Sequence, residues 1–198
     1  YVGLKKLEEK KRLKIIEQME AHGLKMPSSA SLWMPFVVHA TEILEEDGRL
    51  AFVLPFEVTY VKYAYQLWYY LGHHFGSIDI IRVHEDFFPD VDVETVLLLA
   101  DRKGSRTDNV NYGLYASVEQ LCTQKKLDEY KISIEDIVRK KKPFSMAMLH
   151  AEQQQLLEQL RKQEQIVPLL GLCKFRIGYV CADKNYFHPD EATCMNYG

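Results

Sequence analysis

The sequence predicts an α/β chain: part of a doubly wound sheet with a terminal antiparallel hairpin, then a helical linker and the start of a β-rich domain. Three observations predict it. An amphipathic stretch, LWMPFVVHATEILEEDG, runs directly into an apolar strand, RLAFVLP. A second helical run, TYVKYAYQLWYYLGHHF, runs into IDIIRVHEDFFP, so helix and strand alternate as in parallel sheets. A last apolar strand, ETVLLLA, follows after a connection too short for a crossover helix, which calls for an antiparallel partner.

Taken in order, residues 4–21 are charged and helical in pattern, with Leu4, Leu7, Ile15, Ile16 and Met19 sharing part of one face. Gly23 is placed to end that helix, and MPSSAS reads as a loop with Pro27 as breaker. Ser31 is then the expected N-cap of a helix to Glu46, since Pro35 falls in the first turn, where a missing N–H costs least. Asp47-Gly48 turns the chain into a strand over residues 49–54, whose continuous apolar run reads as buried on both faces. After Pro55 a helix is expected over residues 60–75, then strands over 78–83 and 94–100. DRKGSRTDN marks a boundary near Ser105, followed by a strand and short helix, a basic loop RKKKP and a glutamine-rich helix over 148–164. Domains are therefore expected at 1–105, 106–165 and 166–198.

Bulk properties bound the function classes. The 198 residues are 47% hydrophobic and 27% charged, enough apolar material for a packed core and too much for a disordered chain. A net charge of −3 excludes a uniformly basic nucleic-acid coat, but a local basic face would still serve for DNA. Cys122, Cys173, Cys181 and Cys194 form no CxxC pair and have no histidine at zinc spacing, so reduced thiols and a cytoplasmic setting are expected. No apolar run approaches the ~20 residues of a membrane span. A chain that opens on Tyr1 and stops at CMNYG reads as a fragment.

The succession helix, strand-Pro, helix, strand, Phe-Pro, strand resembles the second half of the adenine-N6 DNA methyltransferases of restriction–modification and phage-defence systems. The match is good over residues 1–105 and weaker over 165–190. The resemblance implies a class I, Rossmann-like methyltransferase sheet and transfer of a methyl group from S-adenosylmethionine to adenine N6 of a base flipped out of double-stranded DNA. Exocyclic amines are poor nucleophiles, so such a reaction depends on aromatic faces that hold the ring and on acceptors that polarise the nitrogen. In the family these are an Asn/Asp-Pro-Pro-Tyr/Phe loop and a later Phe.

Carried onto this sequence, the opening Tyr1-Val2-Gly3 would follow Asn-Pro-Pro, making Tyr1 one face of the base sandwich; the alternative is an ordinary frayed terminus. Phe88, before Pro89, would be the other face, with Phe87 capping the sheet edge. Phe36 either packs against the cofactor's adenine or is a core aromatic at helical spacing with Leu32, Val37 and Ile43. Lys62, Arg139, Lys140, Lys141, Lys174 and Arg176 are candidate phosphate contacts, which position DNA without reading its sequence, against the alternative of a solvated surface. FRIGYVCADKNYF resembles the opening of a target recognition domain, with Cys181-Ala182 in place of the usual Thr-Gly. His73 and His74 suit the negative end of a helix rather than a metal, and no metal is expected at the acidic loop of Glu85, Asp86, Asp90 and Asp92.

The glycine-rich cofactor loop, the acidic ribose binder and the Asn-Pro-Pro triplet are absent from the sequence. The chain alone is therefore expected to be inactive, with the upstream half of the same domain as partner and a nuclease possible in the parent. Two rivals stay open: a methyltransferase acting on RNA or a protein amide, and a catalytically silent DNA-binding or scaffold module that keeps the sheet.

Overall fold

A computed structural model describes residues 2–85, 94–125, 128–139, 143–149 and 151–176. Two compact units divide the chain, Tyr1–Gln154 and Gln155–Gly198. The first contains α1 (Glu9–Ala21), α2 (Trp33–Ile43), β1 (Leu50–Pro55), α3 (Tyr65–His74), β2 (Phe75–Val83), β3 (Thr95–Lys103), β4 (Asn109–Tyr115), α4 (Val118–Cys122), β5 (Asp128–Ser133), α5 (Ile134–Val138) and α6 (Pro143–Ala147). A further helix, α7 (Ala151–Arg161), begins in the first unit and ends in the second, which also holds α8 (Leu169–Leu172). Among the described residues no helix is long and apolar enough to cross a membrane.

The five strands form one mixed sheet in the order β1-β3-β2-β4-β5. The α/β class is as the sequence predicts, and the antiparallel strand exists, but β3 lies between β1 and β2 instead of at the end. Each neighbour of β3 runs against it, so β1 and β2 point the same way, and β4 is parallel to β2. The carboxyl ends of β1, β2 and β4 thus lie along one edge. The sheet also continues past Ser105, through β4 and its antiparallel partner β5.

The register puts Leu50, Ala100 and Ile78 in one row and Phe52, Leu98, Ile80 and Tyr112 in the next, all on one face. Phe52 is partly buried and the others are buried, forming one core with the inward sides of α2, α3 and α5. Phe144 of α6 closes this core, its ring 5.2 Å from Trp68 and 6.2 Å from Tyr112. The opposite face is different: Val53 and Leu99 are 41% and 38% exposed. The strand expected to be buried on both faces is therefore covered on one. A continuous apolar run fits either arrangement, because periodicity does not report what packs against the second face.

Local details follow the sequence with shifts at the ends. Gly23, at φ 75°, ends α1 as expected. Ser31 is not the cap of α2: it lies one residue before Leu32 and forms an isolated bridge with Gly3. At the Asp47-Gly48 turn it is Asp47 that takes the left-handed conformation, φ 58°. Gly48 is required there for closeness, since a Cβ would stand 2.7 Å from the Glu45 carbonyl oxygen. The helix expected from residue 60 begins instead at Tyr65, after two short 3-10 turns, Phe56–Thr59 and Lys62–Ala64.

Candidate functional site at the carboxyl ends of the strands

Where β1 ends, Pro55 carries the chain into the turn Phe56–Thr59, and the Phe56 N–H donates to the Glu94 carbonyl at 2.8 Å. Glu94 leads into β3, whose first residue pairs with Pro55. Arg82, near the end of β2, places its guanidinium 4.4 Å from the centre of the Phe56 ring and donates to Glu94 at 3.0 Å. His84, just beyond β2, donates its N–H to the Tyr115 carbonyl at the end of β4. Four segments are stitched together at the edge where ligands bind in open α/β sheets.

The amino-terminal segment reaches the same edge. The Leu32 N–H donates to the Val2 carbonyl at 2.9 Å, and the Leu4 N–H to the Ala30 carbonyl at 2.8 Å. Trp33, at the start of α2, donates its indole N–H to Glu57 Oε1 at 2.6 Å. The Tyr63 hydroxyl donates to the same oxygen at 3.2 Å and accepts from the Ser31 N–H at 3.4 Å. The two rings stack, centres 5.6 Å apart. Burial pushes the Tyr63 phenol above its ordinary pKa.

Of the residues expected to touch substrate, Tyr1 and Phe88 lie outside the described residues, as do Lys140 and Lys141. Val2, the neighbour of Tyr1, and Glu94, six residues after Phe88, are both held at this edge. Phe36 is 61% exposed and is not the core aromatic that helical spacing allowed. Its ring lines an apolar groove of about 780 Å³ between α1 and α2, together with Ile15, Met19 and Leu32. The glycine-rich and acidic parts of a S-adenosylmethionine site are not among this chain's residues.

Lys62 is exposed within the turn that leads to α3, at the candidate edge. Arg139 ends α5 and pairs with Glu135 one turn back, which ties it to its own helix. Lys174 and Arg176 are exposed in the second unit. His73 and His74 each bring Nδ1 to the carbonyl oxygen four residues earlier, at 2.9 and 2.8 Å, the helix-end arrangement the sequence pointed to. Sequence reasoning missed Glu57 and Arg82. The one available signal was a carboxylate and a guanidinium standing in mainly apolar runs, LPFEV and IIRV.

No family model matches the chain, and no curated protein matches it. Solved structures do. The chain is similar to part of the type IIG restriction endonuclease BpuSI, at 15% identity and a TM-score of 0.48, over 66% of this chain and 18% of that one. It is also similar to part of a type I restriction-modification system methyltransferase subunit from Streptococcus thermophilus, at 17% identity and a TM-score of 0.43, over 59% of this chain and 30% of that one. The chain spans less than a third of the length of either protein.

Proposed function

We propose that this chain is the carboxyl-terminal part of a methyltransferase domain that modifies adenine N6 in duplex DNA, followed by a linker and the start of a recognition domain. The observation that carries the reading is the convergence at the sheet edge. Val2, next to Tyr1, is tied by a backbone hydrogen bond to Leu32, and Glu94, six residues after Phe88, to Phe56; Trp33 beside Leu32 in turn bonds Glu57 beside Phe56. S-adenosylmethionine would supply the methyl group. In this reading Tyr1 and Phe88 hold the flipped base between them, Phe36 lies against the cofactor's adenine, and Lys62 meets a phosphate. The half-exposed apolar strip of Val53 and Leu99 suits packing of the upstream half of the domain.

The test is methyl transfer from labelled S-adenosylmethionine to duplex DNA by the intact polypeptide that carries this chain, with nucleoside analysis of the product. N6-methyladenine is expected. Phe88→Ala should lower turnover roughly 5- to 150-fold, the equivalent of the ~1–3 kcal/mol of one base–aromatic stack. Unchanged turnover removes Phe88 from the site. Product on another base, on RNA or on protein overturns the substrate assignment, and failure of the intact protein to bind S-adenosylmethionine favours the silent DNA-binding module. Phe36→Ala is checked separately by calorimetry, as a several-fold weaker affinity for S-adenosylmethionine with the fold intact.

A further inference from the structure

We propose that Glu57 is a positioning residue: one carboxyl oxygen that fixes the amino-terminal segment against the loop after β1 and so sets the spacing of the cleft at the carboxyl ends of the strands. Its consequence for turnover rests on the methyltransferase reading; the anchoring itself does not.

Glu57 Oε1 accepts from two donors on two different elements, the Trp33 indole at 2.6 Å and the Tyr63 hydroxyl at 3.2 Å. Neither donor is a loose surface group. Trp33 is 3% exposed, Tyr63 is partly buried, and their rings stack on each other. Through Tyr63 the link reaches the Ser31 N–H at 3.4 Å, and Ser31 bridges to Gly3 in the segment that also bonds Leu32 and Ala30. The turn bearing Glu57 is itself pinned from below. Thr59 Oγ1 donates to the Phe56 carbonyl at 2.8 Å, and the buried Trp68 indole donates to the Val58 carbonyl at 3.3 Å. A firmly held acceptor thus faces donors whose other contacts lead to the residue next to Tyr1. Hydrogen bonds to a charged acceptor are stronger than neutral ones, and half-burial protects them from water. Removal of the carboxyl group leaves a buried indole N–H and a phenol without this partner, and the amino-terminal segment and the turn after β1 lose their shared anchor.

The experiment uses the intact polypeptide with Glu57→Ala and Glu57→Gln. Glutamine keeps an oxygen that accepts both bonds; alanine does not. Amide exchange is followed at Leu4 and Leu32, whose N–H groups close the amino-terminal segment, with Leu98 in the core strand as internal control. Glu57→Ala should speed exchange at Leu4 and Leu32 at least tenfold with Leu98 unchanged, and Glu57→Gln should restore it. Equal exchange in alanine variant and wild type overturns the proposal. So does acceleration that includes Leu98, which would make Glu57 a general stability residue. In the transfer assay, Glu57→Ala should lower kcat at least fivefold with KM for DNA and cofactor affinity preserved, again with rescue by glutamine; a change confined to KM overturns the positioning role. A wild-type protein that transfers no methyl group sinks the methyltransferase reading alone, and exchange then decides the anchor.

Discussion

The two faces of the sheet are made from the same strands and have opposite fates. On one, Leu98 is fully buried at the centre of a row that runs from Phe52 to Tyr112. On the other, its neighbour Leu99 is 38% exposed, level with Ala51 and Asp79. Farther along that second face the residues become polar: Asn111 donates to Asp79 at 3.0 Å, and Lys131 stands beside Asn111. The lesson is that apolar residues in β1 and β3 serve two purposes. Half of them hold this chain together, and half present a surface that its described helices leave half-exposed. Deleting one leucine from each face separates the two. Leu98→Ala should cost about 2–5 kcal/mol, the range for a buried leucine that leaves a cavity, while Leu99→Ala should cost well under about 1 kcal/mol. Urea denaturation of the two variants measures the gap, and equal costs would mean that the second face is covered after all.

A smaller effect tests how tightly the covered face is filled. Gly72 lies in α3, where alanine is ordinarily favoured by about 1 kcal/mol. Here a Cβ would stand 2.5 Å from Ile134 Cδ1 and 2.8 Å from the Thr107 carbonyl oxygen, and the Gly72 carbonyl itself accepts from Thr107 at 2.9 Å. Overpacking should outweigh propensity, leaving Gly72→Ala about 1–3 kcal/mol less stable. Ile134→Val in the same chain removes only the side-chain part of the clash, so partial recovery in thermal melts is the expected result.

How much of this was legible follows from what each signal reports. The amphipathic stretch before β1 and the apolar runs of β1, β2 and β3 pointed to these elements, because the period of a buried face is a local property. Of the spacing Leu32, Phe36, Val37 and Ile43, however, only Val37 is fully buried. The extension of the sheet through β5 was not legible. In DEYKIS the only apolar positions in register with the core side are Tyr130 and Ile132, with Glu129 and Lys131 on the half-open side, and two such residues are too few to announce a strand. The insertion of β3 between β1 and β2 is a long-range pairing, which no local pattern encodes. At the candidate site, the Phe-Pro pattern falls on residues outside the described ones. The Glu57 anchor stayed hidden because its two donors, Trp33 and Tyr63, are 24 and 6 residues away and no local pattern joins them to it.

The smallest effect lies at the rim of the covered face, where Glu42 of α2 accepts a hydrogen bond from Tyr70 of α3 and lies 3.7 Å from His22 Nδ1 at the end of α1. The Tyr70 hydroxyl first, then His22, His74 and Lys103, hold the Glu42 carboxyl below its ordinary pKa, and partial burial opposes them. The same pairing and burial push the Tyr70 phenol well up, so it remains the donor. A carboxylate whose pKa is lowered by folding stabilises the folded state above the unfolded value, and that contribution disappears as pH falls through the folded value. Tyr70→Phe removes the largest of these influences. Wild type should therefore exceed Tyr70→Phe in stability at pH 7 by roughly 1 kcal/mol or less, since the carboxylate is 41% exposed and water screens it. The gap should close as pH drops below the ordinary carboxylate range, where both proteins carry a protonated Glu42. Paired denaturation curves at pH 7 and in acid read the difference. A gap that stays constant with pH would mean that the hydroxyl stabilises the fold independently of the charge on Glu42.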